Sequence, residues 1–396
     1  MSSYSILIGL SVAVILSYLF DVVARATRVP SVLMLLLTGI ALRQAADYFN
    51  FALDIPTVVL EIFGIIGLIM IVLEGALDLK LTRDKAPLIR RSFMAAALIL
   101  LVQSVAIALL LQLYVGLPFQ TCLVNAVPLS VISSAIAIPS VANLMGEKQE
   151  FIVYESTFSD ILGIMLFNFA LQDNFAQGIS LVTFSLDVVA VLIVAVLSTA
   201  ALAFLLGRIR LHVKFFLILA FLVLLYSLSK QLHLSSLVLV LVFGLAVNNA
   251  DLILRGPRLH RWLHPEQLAA ELLPLKSITA ESAFLIRTFF FLLFGFSITL
   301  SSLISGTLLL QGVLIVGVLT VIRYLYLRYI AHTDMIPELF IAPKGLITVL
   351  LYYSIPAKHH IGEVGENILF LVILLTGLLM MVGLQLASKE PELGEY

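Results

Sequence analysis

FIVYESTFSDILGIMLFNFAL, residues 151–171, decides how this chain is read. The segment has the length and apolarity of a helix crossing hydrocarbon, which takes about 20 residues over about 30 Å. Yet a carboxylate, Asp160, stands near its middle. A charge at that depth costs roughly 2.5–3.5 kcal/mol even on the lenient insertion scale, so an ionisable group there marks an ion path or a proton relay. Glu155 precedes it by five residues. On a helix that spacing separates two side chains by about 140° around the axis and about 7.5 Å along it. The two acids therefore face different surroundings and do not form a shared-proton dyad. Asp160 is assigned to a substrate cavity and Glu155 to a cationic partner.

The rest of the chain sets the solvent. With 61% hydrophobic and 12% charged residues over 396 positions, too little polar surface exists for a soluble globule. An all-α polytopic membrane protein is expected, forming a single transmembrane transport unit over 1–396. The first apolar stretch lacks a basic leader and a small-residue cleavage site, so 4–21 reads as a span and not as a removed signal peptide. Apolar segments fall at roughly 4–22, 29–45, 56–77, 90–114, 119–145, 150–172, 180–206, 212–230, 235–249, 272–299, 303–327, 334–355 and 364–387, about thirteen spans with a short ninth. The tail, 388–396, is too short for a nucleotide-binding regulatory domain.

Basic residues sort the connections. One alternate set carries Arg25, Arg28, Lys80, Arg83, Lys85, Arg90, Arg91, Lys148, the Arg208–Lys214 group, Arg255, Arg258, Arg261, Arg323, Arg328 and Lys389; the other carries only Arg43, Lys230 and Lys358. Lys and Arg accumulate on the cytoplasmic side. The N-terminus is accordingly expected outside and the C-terminus inside, in a cell membrane of prokaryotic (inner-membrane) type. The net charge of −1 offers no argument for nucleic acid as a partner.

Taking the seventh span, 180–206, as a connector leaves two sets of six, 4–172 and 212–387, that enter the membrane from opposite sides as inverted repeats. The fifth member of each set is broken. Span five contains Pro128-Leu-Ser-Val-Ile-Ser133-Ser134-Ala-Ile-Ala-Ile-Pro139, and span twelve contains Pro337-Glu-Leu-Phe-Ile-Ala-Pro343-Lys344-Gly345. Proline removes a backbone donor and glycine relaxes the chain, so the freed carbonyls and amides must face a cavity and not lipid. Ordinary proline kinks are the alternative.

Arg287 is the candidate partner of Glu155, because a guanidinium stays charged and holds a carboxylate through a two-pronged fork. The alternatives are that it snorkels to an interface or pairs with Glu281. Glu74 and Asp78 read as closing the third span. Cys122, the single cysteine, reads as a packing residue and excludes an internal disulfide. The stretch 251–271, with Arg255, Arg258, Arg261 and Trp262, reads as a charged loop, with an interfacial amphipathic helix as the sharper reading. His359-His360 reads as a solvated turn; two adjacent histidines alone make no metal site.

At these residues a resemblance becomes specific. Tyr154-Glu-Ser-Thr-Phe-Ser-Asp160, Glu281-Ser-Ala-Phe-Leu-Ile-Arg287, Pro343-Lys-Gly-Leu and Leu73-Glu-Gly-Ala-Leu resemble the monovalent cation:proton antiporter superfamily over nearly the whole chain. The resemblance implies a thirteen-span fold with a mobile core domain, a dimerisation domain and crossed, partly unwound helices beside the ion site. It implies that Asp160 binds the ion, that Glu155 and Arg287 form the ion pair of electroneutral sodium/proton exchangers, and that Lys344 is the basic residue of the second broken helix. That branch usually has Asn-Asp where this chain has Ser159-Asp160, and the electrogenic branch has Asp-Asp and a lysine in place of Arg287. Ser133-Ser134-Ala-Ile-Ala-Ile-Pro139 is closer to the potassium-efflux branch.

The expected activity is secondary antiport of Na⁺ or Li⁺, with K⁺ a further candidate, against a proton. Asp160 would be neutralised by either cargo, and the oxygens of Ser133, Ser134, Ser156 and Ser159 with freed carbonyls would complete a shell suited to a hard cation. No resident cofactor and no enzyme activity are expected, since no phosphate-cradling loop, zinc motif or nucleophile triad occurs. Membrane lipid and a second copy of the chain are the expected partners. A passive cation channel, a membrane receptor or scaffold and an organic-solute transporter are the competing classes.

Overall fold

The computed structural model describes residues 3–27, 29–49, 57–79, 84–141, 144, 146–172, 179–208, 215–231, 236–249, 265–298, 306–332 and 336–387, and every regular element in them is helical. In chain order these are α1 (Ser3–Thr27), α2 (Ser31–Tyr48), α3 (Thr57–Asp78), α4 (Ala86–Val115), α5 (Phe119–Ser130), α6 (Ser134–Ser140) and α7 (Glu147–Ala170). They continue with α8 (Ile179–Arg208), α9 (Phe215–Gln231), α10 (Ser236–Asn248), α11 (Pro265–Ser297), α12 (Gly306–Tyr326), α13 (Leu346–Tyr353) and α14 (Glu363–Ala387). A π turn, Leu327–Ala331, extends α12, and a 3₁₀ turn, Ala357–His359, precedes α14.

Local chemistry explains many of the boundaries. Pro30 and Pro118 stand just before α2 and α5, where a missing N–H costs nothing and the fixed φ suits a helix entrance. Gly116 ends α4 in the left-handed region, φ +70°, and returns its N–H to the Gln112 carbonyl at 2.9 Å. Among the described residues, six helices are long and apolar enough to cross a membrane. Their outward side chains are large and apolar: Leu101, Val102, Val105, Leu109 and Leu113 of α4 are all exposed, as are Leu7, Ile8, Ile15 and Leu19 of α1. A water-facing helix would turn its polar stripe outward. Hydrocarbon reverses that demand, because it asks only that backbone groups be satisfied within the helix.

The chain forms two compact units. One comprises Met1–Pro56, Pro87–Gly163 and Leu285–Tyr396; the other comprises Thr57–Ala86 and Ile164–Phe284. Each unit thus draws helices from both expected repeats. In the second unit α10 packs against α3, α8 and α9. Its short length and unbroken apolarity suit an element buried on most sides, and the Asn248 and Asn249 amides beyond it both bind the Leu79 carbonyl at the end of α3, at 3.0 and 3.1 Å.

In the first unit α12 packs on α14, and α5 packs on α13, on the 3₁₀ turn and on α14. α2 crosses α11 at Gly39 and Gly295, where a Cβ on either residue would run into backbone of the other helix. Small residues at such a crossing bring two helices into the close contact that drives association in lipid. Ser17 and Thr288 add a buried hydroxyl pair at 2.6 Å.

Two readings change here. His359 is buried, not a solvated turn: its Nδ1 shares a hydrogen bond with Thr121 Oγ1 at 3.0 Å, and Asn125 Nδ2 donates to its carbonyl at 2.7 Å. Two polar residues one helical turn apart on α5 supplied what a hydrated loop would have taken from water. Arg323 is likewise no loop charge, being 1% exposed inside the first unit. Cys122 is buried, as a packing residue should be. Glu74 and Asp78 do fall in the closing turn of α3. Arg255, Arg258, Arg261 and Trp262 lie outside the described residues; 265–271 opens α11.

Candidate ion site

The site is built where span five breaks. α5 stops at Ser130 and α6 starts at Ser134, with Val131 and Ser133 in extended conformation between them. A break inside hydrocarbon is stable only if each freed backbone group finds a partner. The Ile132 N–H donates to Ser159 Oγ at 2.9 Å and the Ser133 N–H to the Pro343 carbonyl at 2.9 Å. The Ser134 N–H donates to Asp160 Oδ2 at 3.1 Å. On the carbonyl side, Lys344 Nζ donates to Ser130 at 2.8 Å. Arg287 Nη1 donates to the Ala135 carbonyl at 2.7 Å. That carbonyl would ordinarily receive the N–H of residue 139, which is proline and has none. The sequence thus opens the bond that Arg287 closes.

The second break answers the first. Pro337 to Phe340 form a turn, 341–345 are irregular, and α13 begins at Leu346. The Lys344 N–H donates to Thr376 Oγ1 of α14 at 3.2 Å, and the Gly345 N–H to Thr348 Oγ1 at 3.2 Å. Gly345 is required by contact. A Cβ there would lie 2.6 Å from Ile136 Cδ1 and 2.7 Å from Ser133 Oγ. Gly345→Ala is expected to lower stability by about 1–3 kcal/mol, the usual cost of overpacking. Thermal melting of the purified protein measures it, and an unaltered melt would mean that the two breaks do not touch here.

Asp160 is 6% exposed, Ser133 fully buried and Ser134, Ser156 and Ser159 buried around it on α7 and at the first break. Of the four serines expected beside the ion, Ser134 meets Asp160 directly through its N–H, Ser159 precedes Asp160 on α7 and binds the Ile132 N–H of the break, and Ser156 lies one turn before Asp160. Two oxygens of this group, Asp160 Oδ1 and Ser133 Oγ, have no hydrogen-bond partner among the described residues. Buried acceptors are nearly always satisfied, and an unsatisfied carboxylate oxygen calls for a proton or a cation. The Ser156 hydroxyl donates to the Val153 carbonyl of its own helix at 3.2 Å and leaves only lone pairs for a ligand. No group of three His, Cys, Asp or Glu side chains suited to a multivalent metal occurs among the described residues.

Glu155 has a different partner from the one expected. Arg323 of α12, and not Arg287, grips it with both prongs, Nη1 to Oε1 and Nη2 to Oε2, each at 2.7 Å. Both side chains are 1% exposed. The third guanidinium nitrogen, Nε, donates to the Glu338 carbonyl of the second break at 2.8 Å. One fork saturates one carboxylate edge, so Arg287 was left to serve the Ala135 carbonyl. A signal for Arg323 existed in the sequence: it falls in register with Gly312, Ile315, Val316, Leu319 and Tyr326, the buried stripe of α12. An arginine on the apolar stripe of a helix implies a buried acid. Lys148 Nζ adds a tie from α7 to the Ile336 carbonyl at 3.1 Å. Thr376 was also missed, because a threonine in an apolar helix carries no sequence signal of its own.

Apolar helices of membrane length, with a buried acid where two helix breaks touch, point to the class of membrane transporters. The transmembrane sodium/hydrogen exchanger family matches residues 10–387, and the chain belongs to that family, whose members are transporters and not enzymes. It is an integral membrane protein. Among solved structures it is similar to the sodium proton antiporter MjNhaP1 from Methanocaldococcus jannaschii at pH 8, with 20% identity over 98% of this chain and 99% of that one and a TM-score of 0.69. A second structure of MjNhaP1, an electron-microscopy map, gives 19% identity, coverage of 100% and 99%, and a TM-score of 0.72. At such identity the likeness concerns the fold. No curated protein matches the chain.

Proposed function

We propose that the protein exchanges one monovalent cation, Na⁺ or Li⁺ with K⁺ a further candidate, for one proton by alternating access at Asp160. The observation that carries this reading is the bare Oδ1 of a buried aspartate whose other oxygen is fixed by a broken-helix amide. Glu155 is paired with Arg323 and Lys344 Nζ is held by the Ser130 carbonyl, so the acid with an open oxygen, Asp160, is the group we assign to the exchange. Either cargo makes that group neutral, and the neutral site can change sides; a bare carboxylate moving through hydrocarbon is penalised. Exchange then follows from competition, and one charge leaving for one arriving makes the cycle electroneutral. The reading includes about thirteen crossings in two inverted repeats, a homodimer, a prokaryotic-type cell membrane and an outside N-terminus, all from the sequence argument and the superfamily resemblance.

Reconstitution into liposomes with a pH-sensitive dye tests it. The apparent KM for Na⁺ is expected to rise with acidity, approaching about tenfold per pH unit on the acid side, the limit for one competing proton. An imposed membrane potential should leave the exchange rate unaltered. A KM indifferent to pH, or net charge uptake driven by the potential, would sink the proposal.

A further inference from the structure

We infer that Thr376 is a positioning residue for the cation site, fixing through the Lys344 amide where the Ser133 hydroxyl sits and hence which ion radius is accepted; this rests on the antiport reading above. The hydroxyl of Thr376 donates to the Val372 carbonyl one turn back at 2.7 Å, with the Ile373 carbonyl a second, longer acceptor at 3.2 Å, and the two fix its rotamer. A hydroxyl carries one proton, here turned toward those carbonyls, so its lone pairs are left for an N–H donor. The Lys344 N–H is that donor, at 3.2 Å, from a backbone stretch that has no helical partner.

The strip held at its centre by Thr376 touches Ser133 on both sides. Pro343, before Lys344, takes the Ser133 N–H at 2.9 Å. Gly345, after it, lies so close that a Cβ would stand 2.7 Å from Ser133 Oγ. Ser133 Oγ is itself buried and has no hydrogen-bond partner among the described residues. Backbone and hydroxyl of the candidate ligand are thus referred to one strip, whose central amide is held by Thr376 of α14 and whose next amide is held by Thr348 of α13. Cations of one charge are told apart by small differences in oxygen distance and by the stiffness of the shell. Loosening the strip relaxes that discrimination without removing any ligand.

The test is transport by the full-length protein in liposomes, with KM and maximal rate measured for Li⁺, Na⁺ and K⁺. Thr376→Val keeps the shape and loses the acceptor, whereas Thr376→Ser keeps the acceptor. The valine variant is expected to shift the ratio of KM values between two of the cations by about tenfold, with a smaller change in maximal rate, and the serine variant to keep the wild-type ratios. If the valine variant does not assemble, Thr376→Ala carries the same comparison. Wild-type ratios in the variant without an acceptor, or an equal shift in the serine variant, overturn the inference. Wild-type protein that exchanges no cation for protons would instead sink the antiport reading itself.

Discussion

Asp160→Asn is expected to reduce cation-driven proton release to background while the protein still folds. The amide oxygen can take over as acceptor for the Ser134 N–H, so the junction of α7 with the first break keeps its hydrogen bond. What disappears is the charge. An amide neither takes up a proton near neutrality nor neutralises a cation, and both halves of the cycle need one of these events. Dye dequenching on addition of Na⁺, Li⁺ or K⁺ measures it. Unimpaired exchange by this variant would remove Asp160 from the mechanism, whatever else in the site survived.

The second large effect concerns stability. Arg323→Ala should destabilise the protein by about 3–5 kcal/mol, the cost of leaving one member of a buried pair uncompensated. Glu155 is 1% exposed and cannot turn to water, and the Glu338 carbonyl loses its donor at the same stroke. Arg287→Ala should cost less, about 1.5–3 kcal/mol, because the hydrogen bond it gives Ala135 goes to a neutral carbonyl and its loss bares no buried carboxylate there. Replacing both Glu155 and Arg323 by leucine should recover most of the loss, since a well-packed apolar pair often matches a buried ionic one. Melting curves of the four purified proteins decide the matter. If Arg287→Ala melts lower than Arg323→Ala, the pairing described here is wrong.

These two arginines show where sequence reading stops. Both lie in apolar runs, but only Arg287 was visible as a costly charge needing an acceptor. The nature of the acceptor was not. Arg287 was matched to Glu155 by its permanent charge and forked geometry and again by the resemblance, whereas in the structure it supplies the donor that Pro139 lacks. Arg323 was sorted with loop charges because it lies near the end of its helix, although its register with the buried stripe of α12 pointed inward. His359 was misread for a similar reason. Its neighbours in sequence are polar, but its partners, Thr121 and Asn125, come from a helix more than two hundred positions away.

Other features were legible because they depend only on neighbours along the chain. Apolar runs of membrane length, prolines that remove donors at fixed places and an acid amid hydrocarbon are local facts, and they yielded a helical membrane protein with a buried acid, Asp160, bound to the amide of Ser134 at a helix break. Pairing is a different kind of fact. Which donor closes an opened carbonyl, which guanidinium grips Glu155 and which hydroxyl holds the Lys344 amide depend on segments that meet only after folding. Forks and hydroxyls bind within about 3 Å, a distance that sequence separation does not encode, and so only the tertiary structure decided them.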